Sequence, residues 1–364
     1  MNSITAQVAE LHAKASGLPH GPAQVALLEE AVRLADLSQD VELAFDVRDT
    51  LMQCACFSGR PDVLLVAFAW CLAQYDRDPQ RFNSFNILWK YKWVISDGIS
   101  FPDLSRARLE GLLADMERRF REAGSTMDAA WRLRRELLMH FGEWPQSRSA
   151  HAEVQKCARD WLSDCPACVA VNDCRYFSAQ REWTLALEAA QPVLQKRLSC
   201  AEEPHRTLAE ALRPLLELSR VEEAQAYQRW GYRLVRNAQH FVREHACHLH
   251  FLTRTGDAAA AKRVLERHLP GALESVQLDE RFEFLLAARL WAQGLVEQGK
   301  KRLKVRLPPA LPPADDAGKS DMAELSAWFA EQAGALARRF DARNGTTAFQ
   351  KRIDDTEELI LGVR

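Results

Sequence analysis

Cys165-Pro166-Ala167-Cys168 places two thiols two residues apart, the gap of a zinc knuckle. Cys200 lies 35 residues after Cys165, and His205 lies 37 after Cys168. Two thiolates at the start of one helix and a Cys/His pair one structural repeat later could close a Cys₃His set on a single zinc ion. Equivalent positions in stacked helices sit on the order of 10 Å apart axis to axis, within side-chain reach of a shared ion. Such a closed set at Cys165, Cys168, Cys200 and His205 would be structural, pinning two repeats. Two other readings stay open. Cysteine is a common small core residue, and Asp164 with Pro166 could simply mark a helix start. A redox-active pair is the other, so the cofactor expectation is none or one structural zinc.

A second group is His240, Glu244, His245, His248 and His250. Residues 244 and 248 share a helix face, but the HExxH zinc-protease order is missing. A solvated or partly buried histidine cluster titrating near neutral pH is the expectation. The run Phe82-Asn83-Ser84-Phe85-Asn86-Ile87-Leu88-Trp89-Lys90-Tyr91-Lys92-Trp93 is the most aromatic stretch. Helical spacing puts Phe85, Leu88, Trp89 and Trp93 in a core and Lys90 and Lys92 towards solvent. Arg118, Arg119, Arg121, Arg132, Arg134 and Arg135 are interleaved with Glu117, Glu122 and Glu136, the pattern of a solvated face. No phosphate-binding glycine loop and no nucleophile elbow is present, so no enzyme activity is expected.

The elements that must position these residues are helices. Ser147, Ala186, Ala224 and Ala261 are small residues spaced 39, 38 and 37 apart, each early in a helix that returns from a turn. Ala26 and Leu64 stand in the same place upstream, 38 apart. Trp144 and Trp183 fall at the start of two returning helices, 39 apart. A fixed period of this length marks a helical-hairpin array. The pattern predicts hairpins at 5–37, 41–76, 83–122, 127–160, 165–197, 203–237, 240–269 and 278–303. The stretch VRLPPALPPADDAGKS reads as an extended linker or loop. Three segments follow: a solenoid over 1–304, the Pro-rich stretch 305–320, and capping helices over 321–364.

The turn-helix pattern resembles the tetratricopeptide repeat, with its period stretched to about 38 residues. The chain is also similar to a group of bacterial repeat proteins of unassigned function. That likeness is carried by Ala67-Phe68-Ala69-Trp70-Cys71-Leu72-Ala73, Leu88–Val94, Asp164–Cys168, Ser199–His205, Gly231–Val235 and Phe340–Gly345. The resemblance implies an all-α fold, a right-handed superhelical solenoid of antiparallel hairpins, and no particular reaction.

The chain has 364 residues, a net charge of −2, and 47% hydrophobic and 27% charged residues. That near-neutral balance argues against a general nucleic-acid binder. No run of about 18 apolar residues suggests a membrane span. The first residues, MNSITAQVAELHAKASGLPHG, lack the pattern of a signal peptide, so a cytoplasmic location is expected. The nine cysteines are then expected as thiols or ligands.

The functional expectation is a scaffold binding a peptide or helix of a partner protein in a concave groove. The alternative is a ligand- or metal-sensing regulatory subunit acting through a partner. Groove candidates are Tyr91, Arg132, Arg135, Tyr176, Arg206, Arg213 and Tyr232, chosen as polar or amphipathic residues of first helices. Among the tryptophans, Trp291 and Trp328 are the expected exposed ones.

Overall fold

The computed structural model describes residues 3–309 and 311–362. They are helical except for loops and one two-residue antiparallel ladder, Arg302–Leu303 with Ser320–Asp321. The chain is therefore all-α. Its residues form two compact units, Met1–Leu138 with Trp144–Ser163, and Met139–Glu143 with Asp164–Arg364.

The first unit holds α1 (Ser3–Ser16), α2 (Pro22–Ser38), α3 (Val41–Phe57), α4 (Pro61–Arg77), α5 (Ser84–Gly98), α6 (Arg106–Glu122), most of α7 (Asp128–Phe141) and α8 (Trp144–Val154). The second holds α9 (Pro166–Ala179), α10 (Trp183–Leu194), α11 (His205–Glu210), α12 (Leu212–Glu217), α13 (Val221–Val235), α14 (Val242–Arg254), α15 (Ala258–Glu274), α16 (Leu278–Glu297), α17 (Met322–Asn344) and α18 (Ala348–Gly362). Local chemistry sets many of the starts. Asp40, Asn83, Ser105, Asp257 and Asp321 each accept a backbone N–H from the first turn that follows. Pro22, Pro61 and Pro166 occupy first-turn positions, where a missing N–H costs nothing. Between α11 and α12 the helix breaks. Pro214 has no N–H to give to the Glu210 carbonyl.

The repeat has a structural meaning. Val25, Leu64, Leu109, Ser147, Ala186, Ala224 and Ala261 are each the fourth residue of α2, α4, α6, α8, α10, α13 and α15. The six apolar members of this set and the Ser147 hydroxyl carrier are all 0% exposed. Where a small residue stands, a neighbouring helix passes close. Ser147 satisfies its hydroxyl by donating to the Arg135 carbonyl at 2.9 Å. The sequence register was off by one at the first copy. Ala26 is exposed and Val25 is the buried residue, because Pro22 begins that helix. Leu109 is a copy that spacing alone passed over, since the loop before α6 lengthens one interval.

The last expected hairpin does not form. Residues 278–297 make one helix, α16, whose buried residues Phe282, Phe284, Leu285, Leu286, Ala288, Trp291 and Ala292 run around much of its circumference. A helix apolar on so many sides is central, and α14 and α17 pack on it. Trp291 is accordingly buried rather than exposed, and Trp328 packs half-buried against the same core. The described residues of the Pro-rich stretch before α17 form a loop held by specific contacts. Val305 and Leu311 are buried, and the Asp315 carboxylate accepts from the backbone of Ala317 and Lys319 and from Arg302.

The aromatic run is turned relative to expectation. Asn83 caps α5 and puts Ile87, Leu88, Tyr91, Val94 and Ile95 on the buried face. Phe85 is 39% exposed, whereas Lys90 and Lys92 are 5% and 4% exposed. Both lysines are paired. Lys90 binds Asp49, and Lys92 donates to the Leu162 carbonyl at 2.6 Å with its ammonium over Trp89. A buried carbonyl needing a donor outweighed the charge pattern.

Candidate metal centre and charged helix face

Cys165 is the N-cap of α9, and its Sγ accepts the Cys168 N–H at 3.3 Å. Cys168 lies in the first turn of that helix. Cys200 arrives from the connection between α10 and α11, which doubles back so that the Cys200 N–H donates to the Glu203 carbonyl. The sulfurs of Cys168 and Cys200 are 3.6 Å apart, and all three sulfurs lie within 4.8 Å of one another. The three residues are half-buried, and Cys165 and Cys200 pack with Leu198 against Ala167, Ala170 and Val193. Burial, then the Cys165 sulfur, pushes the Cys168 thiol up.

His205 is not a fourth member of this group. It opens α11, its ring stacks parallel on Phe241 at 5.5 Å, and its Nδ1 has no hydrogen-bond partner. The structure thus joins three of the four expected ligands. The closed Cys₃His set is replaced by three converging sulfurs.

Within the histidine group His245 and His248 are buried, and His240 and His250 are half-buried. His245 and His268 stack at 3.5 Å, and Tyr232 packs edge-on to His248 and hydrogen-bonds His268 at 3.1 Å. The His245 Nε2 donates to the Val235 carbonyl. Burial pushes His245 down to about 4, His248 and His250 to about 3, and His268 to about 2. These rings are neutral at pH 7, so titration near neutral pH is overturned. Desolvation disfavours the imidazolium. Glu244 pairs with Arg175 instead of sharing an ion with His248.

A second group of charged side chains lies on helices of the second unit that pack on one another in succession. In the second unit α9 packs on α11, α11 on α14 and α14 on α16. Arg175 of α9 donates through Nε to Glu210 of α11 at 2.6 Å and through an Nη to Glu244 of α14 at 3.2 Å. Arg243 of α14 donates to the same Glu210 oxygen at 3.1 Å and lies 3.5 Å from Glu283 of α16. Arg352 of α18 pairs with Glu283, and Asp355 of α18 pairs with Arg181 at 3.2 Å. Arg206 pairs with Glu202 at 2.8 Å, and Arg254 with Glu217 at 3.3 Å. Burial raises the Glu210 carboxyl, but Arg175 and Arg243 overcome it and hold the group below the usual carboxylate range. Glu280 is the opposite case. Burial, with Glu244 and Asp279 nearby, pushes it up to about 8, and its Oε2 has no partner. Burial likewise pushes Glu203 up to about 7.

The expected groove residues divide. Tyr91, Arg135 and Tyr176 are buried and so not accessible to a partner. Tyr91 donates to Asp115, and Arg135 binds His151 at 3.0 Å. Arg132 is held by Asp128. Arg206 keeps a third of its side chain exposed, and Arg213 is exposed over the Trp183 ring. Tyr232 is half-buried and sits on α13, a returning helix rather than a first one. The arginines around 118–134 are paired, Arg118 and Arg119 with Asp115 and Arg121 and Arg134 with Glu117.

Sequence reasoning missed Arg175, Glu210, Arg243, Glu283 and Arg352. The signal was present as charge at the repeat spacing. Glu210 follows Arg175 by 35 residues, and Glu244 follows Glu210 by 34. No protein-family model and no curated protein matches this chain. Among the described residues no helix is long and apolar enough to cross a membrane.

Proposed function

We propose that the chain is a tetratricopeptide-like scaffold, built as a right-handed array of hairpins and related to bacterial repeat proteins, that binds rather than catalyses. Its binding surface is the face of α9, α11, α14 and α16, and its occupant is a helix or peptide of a partner protein carrying both acidic and basic residues. The observation that supports this reading is the ladder Arg175–Glu210–Arg243–Glu283, one step per helix. Helix α18 of the same chain pairs with Glu283 of that ladder through Arg352, which supports reading the face as one that suits a helix with charges of both signs. Charge alternation of this kind favours one register and one partner over others.

The experiment is affinity capture from the native source with the full chain, followed by charge reversal. Glu210→Arg and Arg243→Glu should each weaken the captured partner by at least about tenfold, while Arg229→Glu, on the exposed side of α13, should leave it unchanged. Equal retention by all three variants, with the fold intact by circular dichroism, would refute the placement.

A second reading is favoured by one observation, the three converging sulfurs. A regulatory subunit that senses a metal ion would need such a site and would pass the signal to the same partner.

A further inference from the structure

We infer that Cys165, Cys168 and Cys200 bind one soft divalent metal ion, zinc in the first instance, through three thiolates, with the fourth coordination position supplied from solution. This is independent of the charged face and stands whether or not that face binds a partner.

The sulfur geometry is the first argument. Zinc–sulfur bonds of about 2.3 Å in a tetrahedron set sulfurs about 3.8 Å apart. The Cys168 and Cys200 sulfurs are at 3.6 Å, and the whole trio lies within 4.8 Å, so small rotations about the Cα–Cβ bonds complete the triangle. The second is placement. Cys54, Cys71 and Cys174 are buried, as core-filling thiols are, whereas the trio is half-buried and therefore reachable by an ion. Among the described residues no other three potential ligands converge in this way. The third is the surroundings. The Cys168 N–H fixes the Cys165 sulfur, and Ala167, Ala170 and Val193 form an apolar floor against Cys165 and Cys200 that strengthens metal–ligand attraction.

The open position follows from what is not there. No His, Asp or Glu of the described residues completes the group within 4.8 Å, and His205 is committed to its stack on Phe241. Structural zinc sites are closed by four protein ligands, while sites that exchange a ligand keep one position open. The ion therefore ties the start of α9 to the connection before α11 and leaves one face for water, a small thiol or a donor from a partner.

The test uses the full chain, purified without a metal-affinity tag, reduced and freed of metal under anaerobic conditions. Cobalt(II) should bind one equivalent per chain, with sulfur-to-cobalt charge transfer and the strong visible bands of a tetrahedral site. Zinc(II) should bleach them and shield three of the nine thiols from a thiol reagent. Cys165→Ser and Cys200→Ser should each weaken binding by about 100-fold or more, since losing a ligand costs at least as much as losing a supporting contact. His205→Ala and Cys157→Ser should bind as the wild type does, and added imidazole should shift the visible bands. Absence of tetrahedral cobalt bands in the wild-type chain overturns the site, whatever the variants do. Loss of binding in His205→Ala overturns the open position. If either serine variant fails to fold, shielding of three thiols by zinc in the wild type supports the site, and shielding of none refutes it.

Discussion

Arg175 and Glu210 meet at 2.6 Å across two helices that are one repeat apart in the chain, and the same Glu210 oxygen also receives Arg243. One carboxylate therefore bridges two guanidiniums that are each mostly shielded from water, with Glu244 and Glu283 as the second partners of Arg175 and Arg243. Glu210→Ala would remove the shared acceptor and leave Arg175 with Glu244 alone and Arg243 with Glu283 alone. The expected loss is about 1–3 kcal/mol, below the 3–5 typical of a fully buried pair because the arginines keep some solvent contact. The pH sense follows from the depressed folded-state pKa. The stabilisation is present above the unfolded value, about 4.3, and is lost as pH falls through the lower folded value. Urea denaturation at about pH 7 and about pH 3.5 should find the gap between wild type and variant shrinking on acidification.

The buried histidines give a second window. His245, His248 and His268 have folded-state values of about 4, 3 and 2, against an ordinary value near 6.5. The folded state binds fewer protons, so their contribution is present above about pH 6.5 and is lost as pH falls below it. His248 is the sharpest case, since neither ring nitrogen has a hydrogen-bond partner. His248→Leu removes an unpaired polar ring and a protonation site together. At about pH 5 it should be more stable than the wild type by roughly 1 kcal/mol, and its stability should change less between pH 5 and 7. A thermal-denaturation series across that range decides it, and an unchanged pH slope would count against the assignment.

The helices from α1 to α15 were legible because turn residues and a buried small residue recur at nearly constant spacing. Ala186, Ala224 and Ala261 announced themselves by size. Val25 and Leu109 did not, since a larger residue at that position looks like any other core residue. Helix α16 was misread because a central helix loses the polar stripe that separates one helix from a hairpin. At the cysteines, spacing found the three sulfurs, but the direction taken by a ten-residue connection is not written in spacing. His205 therefore looked equivalent to Cys200. The charged ladder was passed over because ion pairs between helices depend on which faces meet, and composition averages that away.

Glu280 should behave opposite to Glu210. Its folded value is raised to about 8, so the folded state binds the extra proton. That contribution is fully present below the unfolded value of about 4.3 and is lost as pH rises towards 8. Glu280→Gln keeps the shape and removes the buried charge. It should stabilise the chain by about 1 kcal/mol or more at about pH 8 and make no difference at about pH 4. Chemical denaturation of the two proteins at both pH values gives the comparison, and a variant destabilised at pH 8 would mean the carboxylate is paired there.

Two helical glycines should respond in opposite directions to the same substitution. At Gly231 of α13 an added Cβ would lie 2.9 Å from the Leu208 Cβ and 3.3 Å from the His248 ring. The Leu208 Cβ is fixed to its helix and cannot swing aside, so α11 and α13 must separate. Overpacking of this kind costs about 1–3 kcal/mol, more than the roughly 1 kcal/mol gained from better helix propensity. At Gly294 of α16 nothing lies within 4 Å of the new atom, and its backbone is helical. Only the propensity and unfolded-state gains remain there, about 0.4–1 kcal/mol of stabilisation. Calorimetry on Gly231→Ala and Gly294→Ala should show the melting temperature falling in the first and rising in the second. A tolerated Gly231→Ala would mean that the close approach of α13 to α11 and to His248 is not tight.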